Sequence, residues 1–281
     1  MGKLRIMTHN VWKRDENQPA WEAKGEDCSA PVRAKGMVQV YMDKKPDIIG
    51  FQEMSPLMAD EIILGLAAQG EHYALLWGRD TPIMYRRDRF ELLDSDFLLY
   101  PKEVPGLEGK FNNGGTKSWC VAVLKDKTDG KKLAFMSTHL WWKNGDPGAH
   151  NYQAGSHEAR VYQLNMAMDR LEEFNRKYDC PVVLVGDLNA QLPKPAIQSA
   201  LGRGFLHAHD IATEYADDDW GYHYCFGDGY KPYVCRSFEH ALDHILVKFA
   251  PEGFVQRFER YTPDYYLPLS DHSPAFVDVT L

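Results

Sequence analysis

The chain has 281 residues, 44% of them hydrophobic, which is enough to bury a large core within one domain. Its formal net charge is −8, from 32 basic and 40 acidic residues, which excludes a general electrostatic attraction for nucleic-acid backbones or anionic membranes. Cysteines without C-x-x-C spacing indicate reduced, structural thiols, although Cys225 and Cys235 flank a loop and can pair in an oxidising compartment.

The beginning of the sequence bears on the compartment. The first predicted strand begins at Leu4, which leaves no room for the charged and apolar regions of a signal peptide. The longest apolar stretch, residues 62–68, is far shorter than the ~20 residues that span a bilayer. We therefore expect a cytoplasmic protein without a membrane span, and secretion stays open if a signal peptide was removed.

The predicted elements alternate between strands and helices, recognised by their apolar spacing and by Pro and Gly at the breaks. In chain order they are a strand ending at Asn10, a helix over residues 33–44, a strand ending at Glu53, a helix over residues 56–70, antiparallel strands within residues 73–100, strands over residues 119–125 and 133–137, a helix over residues 157–177 and a strand from Val182. No linker interrupts this order. One domain over residues 1–281, with two stacked sheets flanked by helices, is predicted.

Two stretches, residues 141–156 and 213–240, fit no regular element. The first begins with Trp141 and Trp142, of which one is predicted to be in the core and the other to line the rim of a site. The second is rich in aromatic residues, and long loops of this kind are usually functional or packed by their own side chains. His223 lies in this aromatic loop and is a candidate for substrate contact.

Polar residues that can bind a metal ion or a phosphate stand at the ends of apolar runs. Four predicted strands end in such residues, and two polar pairs directly precede apolar runs. In order, they are Asn10, Glu53, His139, Asp187 with Asn189, Asp243 with His244, and Asp271 with His272. If the first four strands leave a common rim and the last two enter it as antiparallel strands, all six clusters meet at one end of the β-structure. The sequence therefore predicts an active site there.

The residue types favour phosphoester hydrolysis. This reaction needs neutralised phosphoryl oxygens, a nucleophilic water and a stabilised leaving oxygen, to all of which a hard divalent cation can contribute. Carboxylates and amides suit Mg²⁺, so Glu53 is the first predicted metal ligand, with Asp271 and Asn10 as helpers.

The residue types also predict roles for the other candidate site residues. Asp187 and Asn189 lie two apart, so in an extended segment both side chains point the same way, one to orient a water and the other to bind a phosphoryl oxygen. His139 and His272 can each bind a phosphate oxygen or move a proton, and Asp243 can hold one imidazole in the useful tautomer.

At these residues the chain resembles the endonuclease/exonuclease/phosphatase superfamily, also described as deoxyribonuclease I-like. The resemblance covers nearly the full length, and six motifs carry it in the same order as in the family: THN to Asn10, FQE to Glu53, STH to His139, GDLN to Asn189, LDH to His244 and SDH to His272. One such tripeptide is weak, whereas six in order are specific.

The resemblance implies a four-layer α/β/β/α sandwich, with two mixed sheets packed face to face and helices outside, and dependence on Mg²⁺ or Mn²⁺. It implies that Glu53 is the principal metal ligand and that Asp243 pairs with His272. Asp187 and Asn189 would then align the water and the phosphate, which His139 contacts. Lys117 lies near the position where relatives place a phosphate-contacting residue.

Differences from individual subfamilies show which branches of the superfamily the chain resembles less. Exonuclease III-like enzymes carry an acid or amide two residues after the asparagine and a tyrosine in place of the histidine, where this chain has Trp12 and His139. The segment around Asp243 also lacks the tryptophan-rich signature of inositol polyphosphate 5-phosphatases. The closer likeness is to the bacterial metal-dependent hydrolases of the superfamily.

These features predict a metal-dependent phosphatase or phosphodiesterase that acts on a compact phosphorylated substrate, such as a small molecule or a lipid headgroup. The alternative enzyme is a nuclease on single-stranded or RNA ends, with aromatic residues of the 213–240 loop stacking on bases. A non-catalytic phosphate-binding module of the same fold is the alternative of another class. The intact set of acids, amides and histidines favours an enzyme. The oligomeric state and the number of metal ions stay open.

Overall fold

The computed structural model describes residues 3–216 and 241–281. Its strands are β1 (Lys3–Asn10), β2 (Ile48–Gln52), β3 (Tyr73–Leu76), β4 (Ile83–Arg86), β5 (Phe90–Leu99), β6 (Ser118–Asp126), β7 (Lys132–His139), β8 (Val182–Asp187), β9 (Leu206–His207), β10 (Glu214–Tyr215), β11 (Asp243–Lys248), β12 (Val255–Arg260) and β13 (Ala275–Thr280). Its helices are α1 (Pro19–Glu22), α2 (Ala30–Lys44), α3 (Pro56–Ala68), α4 (Ser156–Tyr178), α5 (Pro195–Gly202) and α6 (Ala208–Ile211).

The strands form two mixed sheets. The first has the order β10-β12-β13-β1-β2-β4-β3 and the second the order β5-β6-β7-β8-β11-β9. In the first sheet β1 and β2 are parallel and β13 runs antiparallel to β1. In the second, β7 and β8 are parallel and β11 runs antiparallel to β8. The predicted arrangement of four strands leaving a rim and two entering it is therefore confirmed.

The two sheets pack face to face through a shared apolar core. Ile6 and Ile48 of the first sheet belong to the same buried cluster as Phe135, Val185 and Ile245 of the second. Helices α2 and α3 bury their apolar residues against the outer face of the first sheet, and α4 and α5 do so against the second. This confirms the four-layer sandwich.

Two glycines allow close approach directly behind the site. A Cβ atom on Gly186 would lie 1.9 Å from the Thr138 carbonyl oxygen, and Gly186 has φ 154°, which a residue with a side chain rarely adopts. A Cβ atom on Gly50 would lie 2.5 Å from Cγ2 of Val185 in the facing sheet. These positions set the spacing of strands and sheets one to three residues before Asp187 and Glu53.

The predicted elements are largely confirmed, whereas helices α1, α5 and α6 were not predicted. Within the stretch predicted to be irregular, β10 forms a short parallel pairing with β12. Within the 141–156 loop, Asn144 and Tyr152 form an isolated β-bridge. His223, Cys225 and Cys235 lie outside the described residues. Among the helices of the described ranges, none combines the length and apolar character that crossing a bilayer requires.

Candidate active site

The structure brings the six polar clusters together at one end of the sandwich. The sheet registers cause this, because Asn10 at the end of β1 pairs with Gln52 of β2, and His139 at the end of β7 pairs with Asp187 of β8. Asp243, the first residue of β11, pairs with Asp187 from the other side. A contact between Asn10 and Asp187 then joins the two sheets across the site, with Nδ2 of Asn10 donating to Oδ2 of Asp187 at 3.1 Å.

Left-handed backbone conformations concentrate around this site. The φ angle is 53° at Trp12, 59° at Glu53 and 47° at Asn189, each just after the end of a site strand. A residue with a side chain costs about 1–3 kcal/mol in this region unless its surroundings hold it there. Oδ1 of Asn10 accepts from the Trp12 amide at 3.0 Å, and Oε2 of Glu53 accepts from the Lys13 amide at 3.1 Å. Asn10 and Glu53 therefore both hold the turn after β1.

The extended geometry predicted for Asp187 and Asn189 is wrong. Strand β8 ends at Asp187, and Asn189 adopts the left-handed conformation, so the two side chains do not share a strand face. Oδ1 of Asp187 accepts from the Asn189 amide at 2.9 Å, the bond that closes an Asx turn. Nδ2 of Asn189 donates to the Leu140 carbonyl at 3.1 Å. The turn therefore orients Asp187, and Asn189 ties the loop after β8 to the end of β7.

Asp187 is the buried carboxylate at the centre of the site. Its Oδ2 atom lies 3.3 Å from Nε2 of His139 and 3.8 Å from Nε2 of His272. Burial alone would raise the pKa of Asp187, but the two imidazoles outweigh it and hold the pKa well below its ordinary value. The carboxylate therefore stays ionised and available as a hydrogen-bond acceptor.

His272 and Asp243 form a buried pair. Nδ1 of His272 lies 2.7 Å from Oδ2 of Asp243, which leaves Nε2 directed towards the Asp187 side. Burial lowers the pKa of His272, but the carboxylates of Asp243 and Asp187 outweigh it and hold the pKa well above its ordinary value. The contact fixes the orientation of the imidazole, and it is the pairing that the resemblance implies.

His139 and Lys117 lie in direct contact on one side of the site. The Lys117 ammonium lies 2.5 Å from Nε2 of His139, and both side chains are buried. Burial and this ammonium lower the pKa of His139, but Asp187 and Asp80 outweigh them, so that the pKa is raised. Burial lowers the pKa of Lys117, against the attraction of nearby acids that include Glu53.

Asp80 is a site residue that the sequence analysis missed. It is 2% exposed, accepts from Nζ of Lys13 at 2.9 Å, and its Oδ2 atom lies 3.4 Å from Nδ1 of His139. Burial raises its pKa, but His139 and Lys13 outweigh burial and lower it. Asp80 stands shortly before the apolar run that begins at Ile83. The pattern that identified Asp243 and Asp271, an acid ahead of a strand, could have found it.

The donor set fits a divalent cation. Ligand atoms of Glu53, His139 and Asp187 all lie within 4.8 Å of one another, and so do those of Asp187, Asp243 and His272. The Oδ1 atom of Asp243 is buried without a hydrogen-bond partner in the described part of the chain. Carboxylate oxygens are the ligands that Mg²⁺ and Mn²⁺ prefer, and the imidazoles extend the set to softer metals.

Asp271 and Asn10 lie beside these ligand groups. Within residues 3–216 and 241–281, Asp271 belongs to neither ligand group. Its Oδ1 atom is buried and has no hydrogen-bond partner within the same residues. Burial raises the pKa of Asp271 to about 7, with Glu53 and Asp187 acting in the same direction against His272. Asn10 donates through Nδ2 to Asp187 and accepts through Oδ1 from the Trp12 amide, which leaves a second lone pair on Oδ1 for a cation.

The predicted division between the two neighbouring tryptophans holds in the structure. Trp141 is 1% exposed and packs in an apolar cluster with Phe111, whereas Trp142 is 47% exposed. Trp142 lines a pocket that also includes Asn189. His223, which was also predicted to contact the substrate, lies outside the described residues.

The geometry agrees with the comparison to known protein families. The chain belongs to the endonuclease/exonuclease/phosphatase family, whose model matches residues 7–272. Members of this family are hydrolases with a phosphoesterase fold. No curated protein sequence matches the chain significantly.

Several solved structures share the fold along the whole chain. The mannosyl-6-phosphatase Bt3783 of Bacteroides thetaiotaomicron VPI-5482 is 20% identical, with a TM-score of 0.74 over 99% of this chain and 100% of that one. D. rerio TDP2, complexed with a single-strand DNA product, is 19% identical, with a TM-score of 0.66 over 100% of both chains. The human Nocturnin catalytic domain, with a bound sulfate anion, is 15% identical, with a TM-score of 0.63 over 99% of this chain and 94% of that one.

Proposed function

We propose that this protein is a divalent-metal-dependent phosphoester hydrolase, in which water attacks phosphorus in line without a covalent enzyme intermediate. The observation that carries the proposal is the convergence on Asp187 of Asn10, His139 and His272, drawn from both sheets. We further propose that the whole chain acts as one catalytic domain and that Mg²⁺ or Mn²⁺ is the cofactor. The intact set argues against the alternative of a non-catalytic phosphate-binding module.

The proposed roles follow from charge and position. Glu53 would hold the cation, which when bound supplies charge neutralisation and polarises the phosphoryl group. Asp187 stays ionised, so it can accept a hydrogen bond from the attacking water and orient it. His272, kept protonated by Asp243, can donate to a phosphoryl oxygen. Nζ of Lys117 and Nε2 of His139 contact each other at 2.5 Å, and the remaining N–H groups of Lys117 can donate to a phosphoryl oxygen.

Two classes of substrate are consistent with this chemistry. A compact phosphorylated molecule, such as a sugar phosphate or a lipid headgroup, is the proposal that the acidic charge of the chain favours. The likeness to a mannosyl-6-phosphatase agrees with it in fold. A nuclease that acts on single-stranded ends is the second candidate, and the likeness to TDP2 bound to a single-strand DNA product is the observation in its favour.

A substrate panel with a matched pair of variants tests the proposal. Phosphomonoesters, phosphodiesters, RNA and DNA are incubated with the enzyme and Mg²⁺, and Glu53→Gln is compared with Glu91→Gln. Glu91 is an exposed carboxylate on β5 that pairs with Lys125. We expect Glu53→Gln to lose at least about 100-fold in kcat/KM with unchanged circular dichroism, and Glu91→Gln to match the parent. Full activity of Glu53→Gln, or of the parent in excess EDTA, would refute the metal assignment.

A further inference from the structure

A small pocket beside the site is not used by the chemistry described above. It has a volume of about 190 Å³ and lies between the loop after β7, the first turn of α4 and the segment after β8. Asn189, Ala190 and Leu242 form the wall towards the site. Because Leu242 directly precedes Asp243 and its carbonyl accepts from the Leu188 amide at 2.9 Å, this wall is continuous with the catalytic carboxylates. A group attached to a phosphate at the site can therefore enter the pocket.

The charged side chains of the pocket are engaged within the protein, and Nζ of Lys143 lies 5.8 Å from the centroid of the Trp142 ring. Asp146 accepts from Nζ of Lys194 at 2.6 Å and lies 2.9 Å from Nε2 of His157. The Arg160 guanidinium donates to the carbonyls of Trp141 and Lys143 at 3.0 and 2.6 Å. A second phosphate would have to compete with these bonds. The pocket is therefore better suited to a neutral group that forms several hydrogen bonds.

The other residues that line the pocket also suit a neutral group with several hydroxyls. Asn144, Asn151 and Gln191 add amides that both donate and accept, as hydroxyl groups require. Trp142 lines the pocket with a half-exposed indole, on which the C–H face of a sugar ring can bury apolar surface. Pockets for drug-sized ligands are about 300–1,000 Å³, so a cavity of about 190 Å³ suits one ring and not a nucleotide.

We propose that this pocket binds the alcohol part of the substrate and that this part is a single sugar ring, with Trp142 as its stacking platform. The inference rests on the proposed hydrolase function and names its substrate class. Asp146 and Lys194 would hydrogen-bond the ring hydroxyls through the lone pairs and N–H groups that their mutual bond leaves available. The substrate would then be a hexose phosphate, hydrolysed to the free sugar and inorganic phosphate.

Comparison of esters that differ in their alcohol tests the pocket. The substrates are methyl phosphate, glycerol 3-phosphate, glucose 6-phosphate, mannose 6-phosphate and AMP, assayed with Mg²⁺ by phosphate release. The variants are Trp142→Ala and Asp146→Asn, and the control is Phe249→Ala. Phe249 is likewise 47% exposed but follows the end of β11 opposite to Asp243.

We expect the parent to prefer a hexose phosphate over methyl phosphate and AMP by at least about tenfold in kcat/KM, which corresponds to ~1.4 kcal/mol. Trp142→Ala and Asp146→Asn should raise KM for the hexose phosphate about tenfold and leave kcat/KM for methyl phosphate within twofold. Phe249→Ala should change neither.

The outcomes separate the two proposals. If the parent hydrolyses methyl phosphate and hexose phosphates equally well, or if the pocket variants affect both esters alike, the sugar pocket is refuted and the hydrolase function stands. Preference for AMP that is lost in Trp142→Ala would also refute it, because the indole would then stack on a base. Failure to hydrolyse any ester, diester or nucleic acid would refute the hydrolase function and the pocket assignment with it.

Discussion

At the scale of single residues, the site is organised by pairs of side chains that change each other's charge. The clearest is His272 with Asp243, joined at 2.7 Å and both buried. A carboxylate at this distance keeps the imidazole protonated and selects its orientation. Removal of either partner therefore removes most of what the other contributes.

This coupling predicts non-additive kinetics. We expect His272→Ala to reduce kcat by about 10²–10⁴-fold and the double variant with Asp243→Asn to be within about threefold of that single variant. As a control, His272→Ala is combined with Asp80→Asn, because Asp80 contacts His139 and Lys13 instead. The losses of this second pair should multiply. Steady-state kinetics of the single and double variants measure the coupling between His272 and Asp243. Multiplicative losses for this pair would contradict it.

The environment of Asp271, unlike that of His272, favours the uncharged form, because burial and neighbouring carboxylates oppose its ionisation. Its pKa of about 7 compares with 3.8 for an ordinary aspartate. Between these two values the unfolded chain releases a proton that the folded protein retains. Stability therefore falls as pH rises from about 4 to 7, and the full loss is present above pH 7.

This sign predicts a pH-dependent effect of Asp271→Asn. In EDTA we expect the variant to gain Tm relative to the parent as pH rises from 4 to 8, with the difference largest above pH 7. Excess Mg²⁺ should reduce the difference, because a nearby cation favours the ionised form. Thermal unfolding at several pH values measures it. A Tm difference that is constant over this range would show that Asp271 ionises normally.

At the scale of elements, the parallel pair β7 and β8 sets the distance between His139 and Asp187. Their register places these two residues opposite each other, and Gly186 and Thr138 form the preceding pair. The Thr138 carbonyl occupies the place that a Cβ atom on Gly186 would need. Stability and site geometry therefore depend on the same glycine.

Gly186→Ala is expected to destabilise the protein by at least about 2–3 kcal/mol, because it combines overpacking with an unfavourable φ angle. Gly202→Ala is the control, since Gly202 ends α5 and a Cβ atom there meets nothing within 4 Å. That substitution should leave stability unchanged or raise it by up to about 1 kcal/mol. Urea denaturation compares the two. Equal stability of Gly186→Ala and the parent would contradict the close approach.

At the scale of the whole molecule, charge limits the substrate. A formal charge of −8 repels a polyanion, and at the site Lys13 is paired with Asp80. Proteins that follow a nucleic-acid backbone neutralise several phosphates, and their affinity falls steeply with salt.

We therefore expect a shallow salt dependence of kcat/KM on the best substrate at fixed Mg²⁺, equivalent to about one or two phosphate contacts. On duplex DNA each phosphate contact would contribute a slope of about −0.9 in log affinity against log salt. Tight binding of Glu53→Gln to DNA or RNA at physiological salt would reveal a basic track and favour the nuclease. The residues 217–240, rich in both acids and aromatic rings, lie outside the described ranges and are included in this test as part of the whole chain.

Much of the fold and site could be predicted from the sequence. The helix after Pro56, the long helix before Val182 and the strands that end at His139 and Asp187 are confirmed. Apolar runs of strand length reveal strands locally, and parallel strands bring their carboxyl ends to one edge. The order of the six motifs therefore determined which residues would meet.

How these residues meet depends on contacts between segments that are remote in sequence. The contact between Asn10 and Asp187 spans 177 positions and depends on the packing of one sheet on the other. Asp80 enters the site because β4 lies beside β2, and Asn189 leaves its expected face because an Asx turn ends β8. The pocket likewise joins segments that are remote in sequence. A local pattern specifies strands and their polar ends, whereas turn geometry, pKa values and cavities arise from contacts between distant segments.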